Sequence, residues 1–298
     1  MNGVLIIDKP RGFTSFDVIA VVRRLTGERK TGHTGTLDPN ATGVLPVLLG
    51  RATKAQDIIP DHDKEYRAAF RLGMTTDTLD IWGEVRERFD KTADRKALEA
   101  ALGAFRGEIS QIPPMYSAIK QNGKRLYDLA RQGVEVARSP RTVTVYSLEL
   151  LSFDEEAQEG ELLVRCSKGT YVRTLIDDLG SALGTGAVMT ALRRTCACGF
   201  TLGDCVSLDR LRALSESGQT ETALRPVESL FVGYEAVTLS EAQAKRFRNG
   251  GALSLERTSL RGRSLSDGEL FRVNERGGFI GLGMIRSDEL RVYKLFCI

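Results

Sequence analysis

The segment from Gly32 to Pro46, GHTGTLDPNATGVLP, limits what this chain can fold into more than any other segment does. It contains too much Gly, Thr and Pro for a helix and is too irregular for a strand. Pro39 disfavours helical backbone angles at Asp38, and Gly35 and Gly43 permit angles that other residues resist. A loop of this kind on a rigid scaffold often places one side chain accurately. The segment alone fits two interpretations: an active-site loop that presents Asp38, and a surface loop with an Asp-Pro turn.

The composition is that of a globular protein long enough for two domains, with 298 residues, 42% of them apolar and 27% charged. A net charge of +3 is too small for nucleic-acid binding by bulk charge, so a polyanion would have to meet local basic patches. Five cysteines without regular spacing indicate reduced thiols rather than disulfides or a zinc site. The short apolar run that ends at Asp8 is not a signal peptide, and no window reaches the length of a membrane span. We therefore expect a cytoplasmic protein.

Apolar periodicity predicts strands and helices that do not alternate strictly, which favours an α+β fold over a doubly wound sheet. Thr14 and Asp17 have the spacing of a capping box at the start of a helix, whose apolar stripe begins at Phe16. Further helices are predicted at 53–59, 93–105 and 171–183, and strands at 4–7, 44–49, 64–72, 143–153, 162–167, 187–195 and 235–239. After residue 231 short strands and Gly-rich turns predominate, so we predict a large domain at 1–231 and a small β-rich domain at 232–298.

Three residues are candidates for chemistry. Asp38 can act as a nucleophile or a general base if a cation keeps it ionised. Tyr66 lies in the predicted strand 64–72, where a half-buried packing role is the plainer interpretation. Arg173 lies in the first turn of a predicted helix, where the helix dipole disfavours a cation, so it either has a carboxylate or phosphate partner or is solvated. Asp77 and Asp80 fit turn and cap networks better than a metal pair, and we predict no metal site.

The motifs together resemble one family. They are Asp8-Lys9-Pro10, the Gly32–Pro46 segment, Gly50-Arg51-Ala52-Thr53-Lys54, Lys64 with Tyr66, Thr76-Asp77-Thr78 with Asp80, Ile112-Pro113-Pro114 with Tyr116-Ser117-Ala118 and Lys120, and Ser167-Lys168-Gly169-Thr170-Tyr171 with Arg173. In this order they are similar to the TruB family of tRNA pseudouridine synthases over most of residues 1–230. The tail resembles a PUA-type RNA-binding domain. The chain departs from the family at Ile81-Trp82-Gly83, where small residues are usual.

The resemblance implies a pseudouridine synthase fold with a mixed, largely antiparallel central sheet, and isomerisation of uridine 55 in the T-loop of tRNA. It implies that Asp38 is the nucleophile, that Tyr66 stacks on the target base and handles a proton, and that Arg173 pairs with Asp38. The reaction neither gains nor loses atoms overall, so no cofactor is expected. Whether Asp38 attacks uracil C6 or sugar C1′, or assists formation of a glycal, is open at this stage.

The RNA partner predicts a set of binding residues. The basic stretch 120–141 is a candidate RNA-gripping insertion, with a solvated basic face as the alternative. His33 is a candidate to fill the space left by the flipped base or to contact the flipped-out RNA loop, or else it only packs its own loop. The remaining candidate contacts are Lys9, Arg23, Lys30, Lys54, Lys64, Lys120, Lys124, Arg125, Arg131, Arg141, Tyr171 and Leu192. No protein partner is implied, and we expect a monomer.

Two rival functions are weaker. A glycoside or nucleoside hydrolase normally uses two carboxylates that flank the bond, and only Asp38 stands in the distinctive loop. A non-catalytic RNA-binding protein on the same scaffold would not need Asp38, Tyr66 and Arg173 together, and all three are present.

Overall fold

The computed structural model describes residues 1–117, 119–121 and 123–296, and shows an α+β protein. Ala118 and Asn122, within predicted motifs, and residues 297–298 of the predicted small domain lie outside the described residues. The strands are β1 (Gly3–Lys9), β2 (Thr31–His33), β3 (Thr42–Leu49), β4 (Lys64–Leu72), β5 (Met74–Thr76), β6 (Val85–Arg88), β7 (Gly107–Gln111), β8 (Lys120–Gln121), β9 (Lys124–Arg125), β10 (Arg141–Asp154), β11 (Glu159–Cys166), β12 (Ala187–Ala197), β13 (Phe200–Thr201), β14 (Ala236–Thr238), β15 (Leu253–Ser254), β16 (Leu270–Glu275), β17 (Gly278–Arg286) and β18 (Glu289–Leu295). The helices are α1 (Ser15–Thr26), α2 (Arg95–Leu102), α3 (Leu126–Ala130), α4 (Val172–Leu183), α5 (Leu208–Glu216) and α6 (Glu241–Arg248).

The central sheet has the strand order β1-β3-β12-β4-β11-β10-β7, with β2 paired to β3 and β13 paired to β12. Its pairs are antiparallel except β3 with β12, which is parallel, so the predicted mixed, largely antiparallel sheet is confirmed. In the parallel pair Arg194 lies opposite Gly43, which has a φ of +103°. A Cβ on Gly43 would lie 2.1 Å from the carbonyl oxygen of Arg194, so only glycine permits this approach.

Apolar side chains form two cores against the central sheet. On one face α2 and α4 pack against β4, β11 and β12 around fully buried residues such as Ala68 and Ile176. A second core lies at the β1 and β3 end of the sheet, where α1 and α5 pack around Val18 and Leu211. Burying this apolar area is the main favourable term in folding. The layers leave the β2–β3 loop at the edge of both cores.

Most predicted elements are confirmed, and β4 has the predicted bounds. The capping box of α1 is present, because the Thr14 hydroxyl accepts from the Asp17 amide and the Asp17 carboxylate accepts from the Thr14 amide. Two details are wrong. The helix predicted at 53–59 is a 3-10 helix at Gly50–Ala55, and Phe16, predicted to be in the buried stripe, is 59% exposed.

The C-terminal region forms a second sheet, β14-β16-β17-β18-β15, with α6 packed on it and a core of its own. Its contact with the first sheet is aromatic: Phe231, Phe279 and Phe296 lie with ring centroids 5.5–6.1 Å apart. Phe231 is fully buried and shares a core cluster with Val4 of β1. Among the described residues, no helix combines the length and apolarity that a membrane crossing requires.

Candidate active site

The loop between β2 and β3 holds Asp38 on a pinned backbone. The Leu37 amide donates to the Ser15 hydroxyl at 2.9 Å, and the Gly12 amide donates to the Pro39 carbonyl at 2.9 Å. Leu37 is buried, whereas the Asp38 side chain is 40% exposed. The backbone is therefore fixed from within the protein while the carboxylate is open to a ligand.

Lys9 hydrogen-bonds to the backbone of this loop from inside the protein. Its predicted role as an RNA contact is wrong, because its side chain is fully buried. Its ammonium donates to the carbonyl oxygens of Phe13, Pro10 and Pro39 at 2.5, 3.0 and 3.2 Å. Burial lowers the pKa of Lys9 to about 8, while the nearby negative charge of Asp38 acts in the opposite direction. Lys9 thus ties the strand end, the following turn and the Asp38 loop together.

Arg173, in the first turn of α4, uses all three guanidinium nitrogens. Its Nε lies 3.0 Å from Oδ2 of Asp38. Nη1 donates to the Thr78 carbonyl and Nη2 to the Tyr116 carbonyl, each at 2.9 Å, and Oδ2 of Asp80 lies 3.9 Å from Nη1. The Arg173 side chain is only 7% exposed. The contact with Asp38 that the resemblance implies is present, and it explains a cation at a helix N-terminus.

The loop between β5 and β6 supplies one acceptor for Arg173, the Thr78 carbonyl, and the nearby carboxylate of Asp80. Leu79 has a φ of +63°, a left-handed conformation that is uncommon for such a residue, beside the Thr78 carbonyl. Oδ1 of Asp80 accepts from the Thr78 hydroxyl at 2.7 Å and from the Trp82 amide at 3.2 Å. Oδ1 of Asp77 accepts from a backbone amide seven residues further along at 2.8 Å. Both carboxylates therefore serve the turn, as the sequence predicts.

Tyr66 lies on β4, 6% exposed, in the same core cluster as Leu37. Burial raises the pKa of Tyr66 to about 12, partly offset by the guanidinium of Arg194, so the phenol is protonated at neutral pH. Sequence reasoning missed Arg194, which is fully buried on β12. Its Nε donates to the Val44 carbonyl at 2.7 Å and its Nη2 to the Gly35 carbonyl at 3.1 Å, while Nη1 has no acceptor among the described residues. The buried guanidinium of Arg194 therefore hydrogen-bonds to the backbone on both sides of Asp38, at Gly35 and at Val44.

His33 ends β2 beside this loop. Burial, followed by the charge of Arg194, lowers the pKa of His33, which favours a neutral ring at neutral pH. The exposed ring of Phe16 meets the imidazole edge to face at 5.8 Å, and the Arg125 guanidinium lies 5.7 Å from the centroid of Phe16. The insertion therefore touches α1 next to the site, through a side chain that helical spacing had assigned to the core.

The other predicted RNA contacts fall into two groups. The first group is half-buried and consists of Tyr171, Leu192 and Lys64. Tyr171 lies at the N-cap of α4, where its amide donates to Gln111 Oε1 at 3.0 Å. Lys64 donates to the His62 carbonyl at 2.6 Å, and burial lowers its pKa. The remaining predicted contacts are exposed cations, namely Arg23, Lys30, Lys54, Lys120, Lys124, Arg131 and Arg141.

Three family models match consecutive parts of the chain. They describe the TruB family pseudouridylate synthase N-terminal domain at residues 23–172, the tRNA pseudouridylate synthase B C-terminal domain at 173–232, and the pseudouridine synthase II TruB C-terminal region at 236–296. The fold and the Asp-Arg site are thus found in a chain that matches pseudouridine synthase models almost throughout. The chain belongs to the TruB family.

Similar proteins cover nearly the whole chain. The tRNA pseudouridine synthase B of Azoarcus sp. (strain BH72) is 44% identical over 296 residues, which cover 99% of this chain and 95% of that protein. The protein of the same name from Escherichia coli (strain K12) is 44% identical over 98% of this chain and 93% of its own. The solved Cbf5-Nop10-Gar1 complex contains a chain with a TM-score of 0.74 and 26% identity, matched over 99% of this chain and 84% of that one.

Proposed function

We propose that this protein is a tRNA pseudouridine synthase that isomerises uridine 55 of the T-loop. The observation that carries the proposal is the 3.0 Å contact between Arg173 and Asp38, on a loop whose backbone is held at both ends while its carboxylate is open. The tRNA substrate comes from the names of the relatives that are 44% identical. Cytoplasmic location and a monomeric state are the expectations that accompany this assignment.

The reaction breaks the bond from C1′ to N1, turns the base and joins C1′ to C5. C5 loses a proton and N1 gains one, so atoms and electrons balance without an oxidant, a reductant or a second substrate. Asp38 is the group that attacks uracil C6 or sugar C1′, or assists formation of a glycal. Arg173 orients the carboxylate of Asp38 through its planar guanidinium. The two Nη atoms of that guanidinium are held by main-chain carbonyls.

Tyr66 is proposed to stack on the target base. Its ring lies in the core cluster that contains Leu37, one residue before Asp38, and its neutral phenol can donate or relay a proton without bringing a charge to the base. The buried Arg194 supports this wall of the site. A flipped uridine placed between Tyr66 and Asp38 is excluded from water, which strengthens the hydrogen bonds that retain the detached uracil.

RNA is proposed to approach Asp38 between α1 and the insertion at 120–141. This path is favoured by the basic and aromatic groups that meet there: Arg125 lies over Phe16, and Arg125 and Arg131 both lie over Tyr127 at 5.6 and 5.5 Å. Stacking and cations on one surface are typical of single-stranded RNA sites. We propose 1–231 as the catalytic domain and 232–298 as a PUA-like domain that adds affinity.

A T-arm stem-loop RNA tests the proposal. Wild-type protein should convert the T-loop uridine to pseudouridine, and Asp38→Asn should abolish conversion while RNA binding stays within about threefold, because the amide cannot attack carbon. Asp209→Asn, a carboxylate with a 90% exposed side chain on α5, is the matched control and should be unaffected. No conversion by the wild type contradicts the proposal. Release of free uracil with an abasic RNA would instead indicate the rival hydrolase.

A further inference from the structure

Trp82 is the single tryptophan of the chain. It is 40% exposed, at the tip of the β5–β6 loop. The turn beneath it is rigid: the Gly83 amide donates to the Asp80 carbonyl at 3.2 Å, and the Trp82 amide donates to Oδ1 of Asp80 at 3.2 Å. A Cβ on Gly83 would lie 2.2 Å from the Thr78 hydroxyl, so the turn is closely packed.

The tryptophan belongs to the same hydrogen-bonded unit as the catalytic pair. Its partner Asp80 lies 3.9 Å from Arg173, which contacts Asp38 at 3.0 Å. The amide of Ile81, the residue before Trp82, donates to the Met189 carbonyl of β12 at 2.9 Å. The backbone of Trp82 is therefore fixed on the loop that contacts Arg173, while its ring takes no part in the buried core.

Arg11 approaches the same ring from the other side of the site. Its Cζ lies 5.2 Å from the Trp82 ring centroid. The next residue, Gly12, donates its amide to the carbonyl of Pro39, directly after Asp38. The guanidinium and the ring thus come from two different loops, each bonded to a neighbour of the catalytic carboxylate. Together they form an exposed ring with a cation on it at the border of the site.

This pair has the chemistry of a nucleobase platform. Aromatic rings bind unstacked bases by stacking, which tolerates any base identity, and an adjacent arginine adds a cation for the phosphate backbone. Single-stranded RNA loops offer splayed bases for this contact. The indole does not stabilise the turn, which is closed by hydrogen bonds between Asp80 and the amides of Trp82 and Gly83. An exposed apolar ring that does not stabilise the fold favours a binding role.

We propose that Trp82 stacks on an unpaired nucleobase of the substrate loop next to the target uridine, and that Arg11 holds the phosphate backbone beside it. The inference rests on the proposed function and adds a binding residue to it. Trp82 acts on RNA affinity, whereas Asp38 and Arg173 act on the bond that is broken. The site is formed by loops and needs no rearrangement of the sheet.

Because Trp82 is the sole tryptophan, its fluorescence reports on this position alone. Titration of full-length protein with a T-arm stem-loop should quench the emission along the same binding curve that a direct binding assay gives. Trp82→Ala should raise KM about tenfold or more and leave kcat within about threefold, since loss of one base stack weakens binding by roughly that factor. Trp82→Phe, which keeps an aromatic face, should recover most of the affinity. Arg11→Gln should lower the salt dependence of binding.

Tyr146→Ala is the matched control, because Tyr146 is also an exposed ring beneath an arginine, Arg165, at 5.8 Å. It should change neither KM nor kcat. If the wild type fails to form pseudouridine, the proposed function fails, whatever Trp82 does. If the wild type converts RNA and Trp82→Ala keeps the wild-type KM, the inference is overturned, even with quenching, because the ring then only senses loop movement. A fall in kcat at unchanged KM overturns it as well. If Trp82→Ala does not fold, Trp82→Leu, which keeps an apolar side chain without an aromatic face, takes its place: a raised KM supports the inference and a wild-type KM overturns it.

Discussion

Arg173→Lys tests whether the site depends on the shape of the guanidinium or only on its charge. The three nitrogens of Arg173 reach Asp38, the Thr78 carbonyl and the Tyr116 carbonyl at 2.9–3.0 Å. A lysine ammonium is a point charge on a flexible stem and cannot reach these three directions at once. The variant keeps the positive charge and loses the fork.

The magnitude follows from the partners that are left behind. At least two hydrogen bonds from a charged group are lost in a side chain that is 7% exposed, and each contributes about 1.5–3 kcal/mol. The pairing with Asp38 counts for less, because that carboxylate is 40% exposed and solvent screens it. The ammonium recovers the remaining contact, so the two lost hydrogen bonds should lower the free energy of unfolding by about 3–6 kcal/mol. A carboxylate displaced by about 1 Å should lower kcat about 100-fold.

Single-turnover conversion, RNA binding and denaturant unfolding measure these effects separately. Binding should stay within about threefold, because Arg173 is buried behind Asp38. Arg67→Lys is the control: Arg67 also forms a two-point contact with a carboxylate, Glu161, but its side chain is 52% exposed. That variant should unfold at nearly the same denaturant concentration as the wild type and lose no activity, because solvent screens an exposed ion pair. If folded Arg173→Lys keeps a kcat within about threefold of wild type, the orienting role is refuted.

Two further predictions concern the support of the Asp38 loop. The folded-state pKa of Lys9, about 8, lies below the reference value of 10.5, so the unfolded chain binds more protons at this group between those values. As the pH rises through this window, the free energy of unfolding of the wild type should therefore increase relative to that of Lys9→Met. Denaturant unfolding at several pH values measures this difference, and a difference that does not change with pH would contradict the lowered pKa. Gly43→Ala should destabilise far more than Gly107→Ala: both glycines have positive φ, but a Cβ on Gly43 meets the Arg194 carbonyl whereas one on Gly107 meets open space. Gly107→Ala should cost about 1–2 kcal/mol, and equal losses in thermal unfolding would show that backbone strain alone matters.

Local patterns predicted local structure well. The alternation at 64–72 identifies β4, and the Thr14–Asp17 spacing identifies the cap of α1, because both depend on interactions within a few residues. Phe16 shows the limit of periodicity. The predicted stripe is buried at Ile19 and Val22, but in the first turn of the helix Phe16 is exposed and Val18 is buried instead.

Lys9 and Arg194 show a second limit. Cations are rarely buried, and the carbonyls that accept from these two include distant ones, Pro39 for Lys9 and Gly35 and Val44 for Arg194. No spacing in the sequence encodes such a cage. The contact between Asp38 and Arg173 is equally non-local, and only the resemblance implied it. The exposed Trp82 was visible as a departure from the family pattern, but its pairing with Arg11 needed the fold.

The parallel contact of β3 with β12 also has a kinetic consequence. It joins Gly43 to Arg194 and Val44 to the Arg194 side chain across a sequence separation of 150 residues. Loop-closure entropy delays such pairings relative to hairpins and helices. Arg194 braces the Asp38 loop only after this closure, so a refolding chain acquires helical and hairpin signals before it acquires a competent carboxylate. Activity should therefore return with this long-range closure rather than with the earlier helical and hairpin signals.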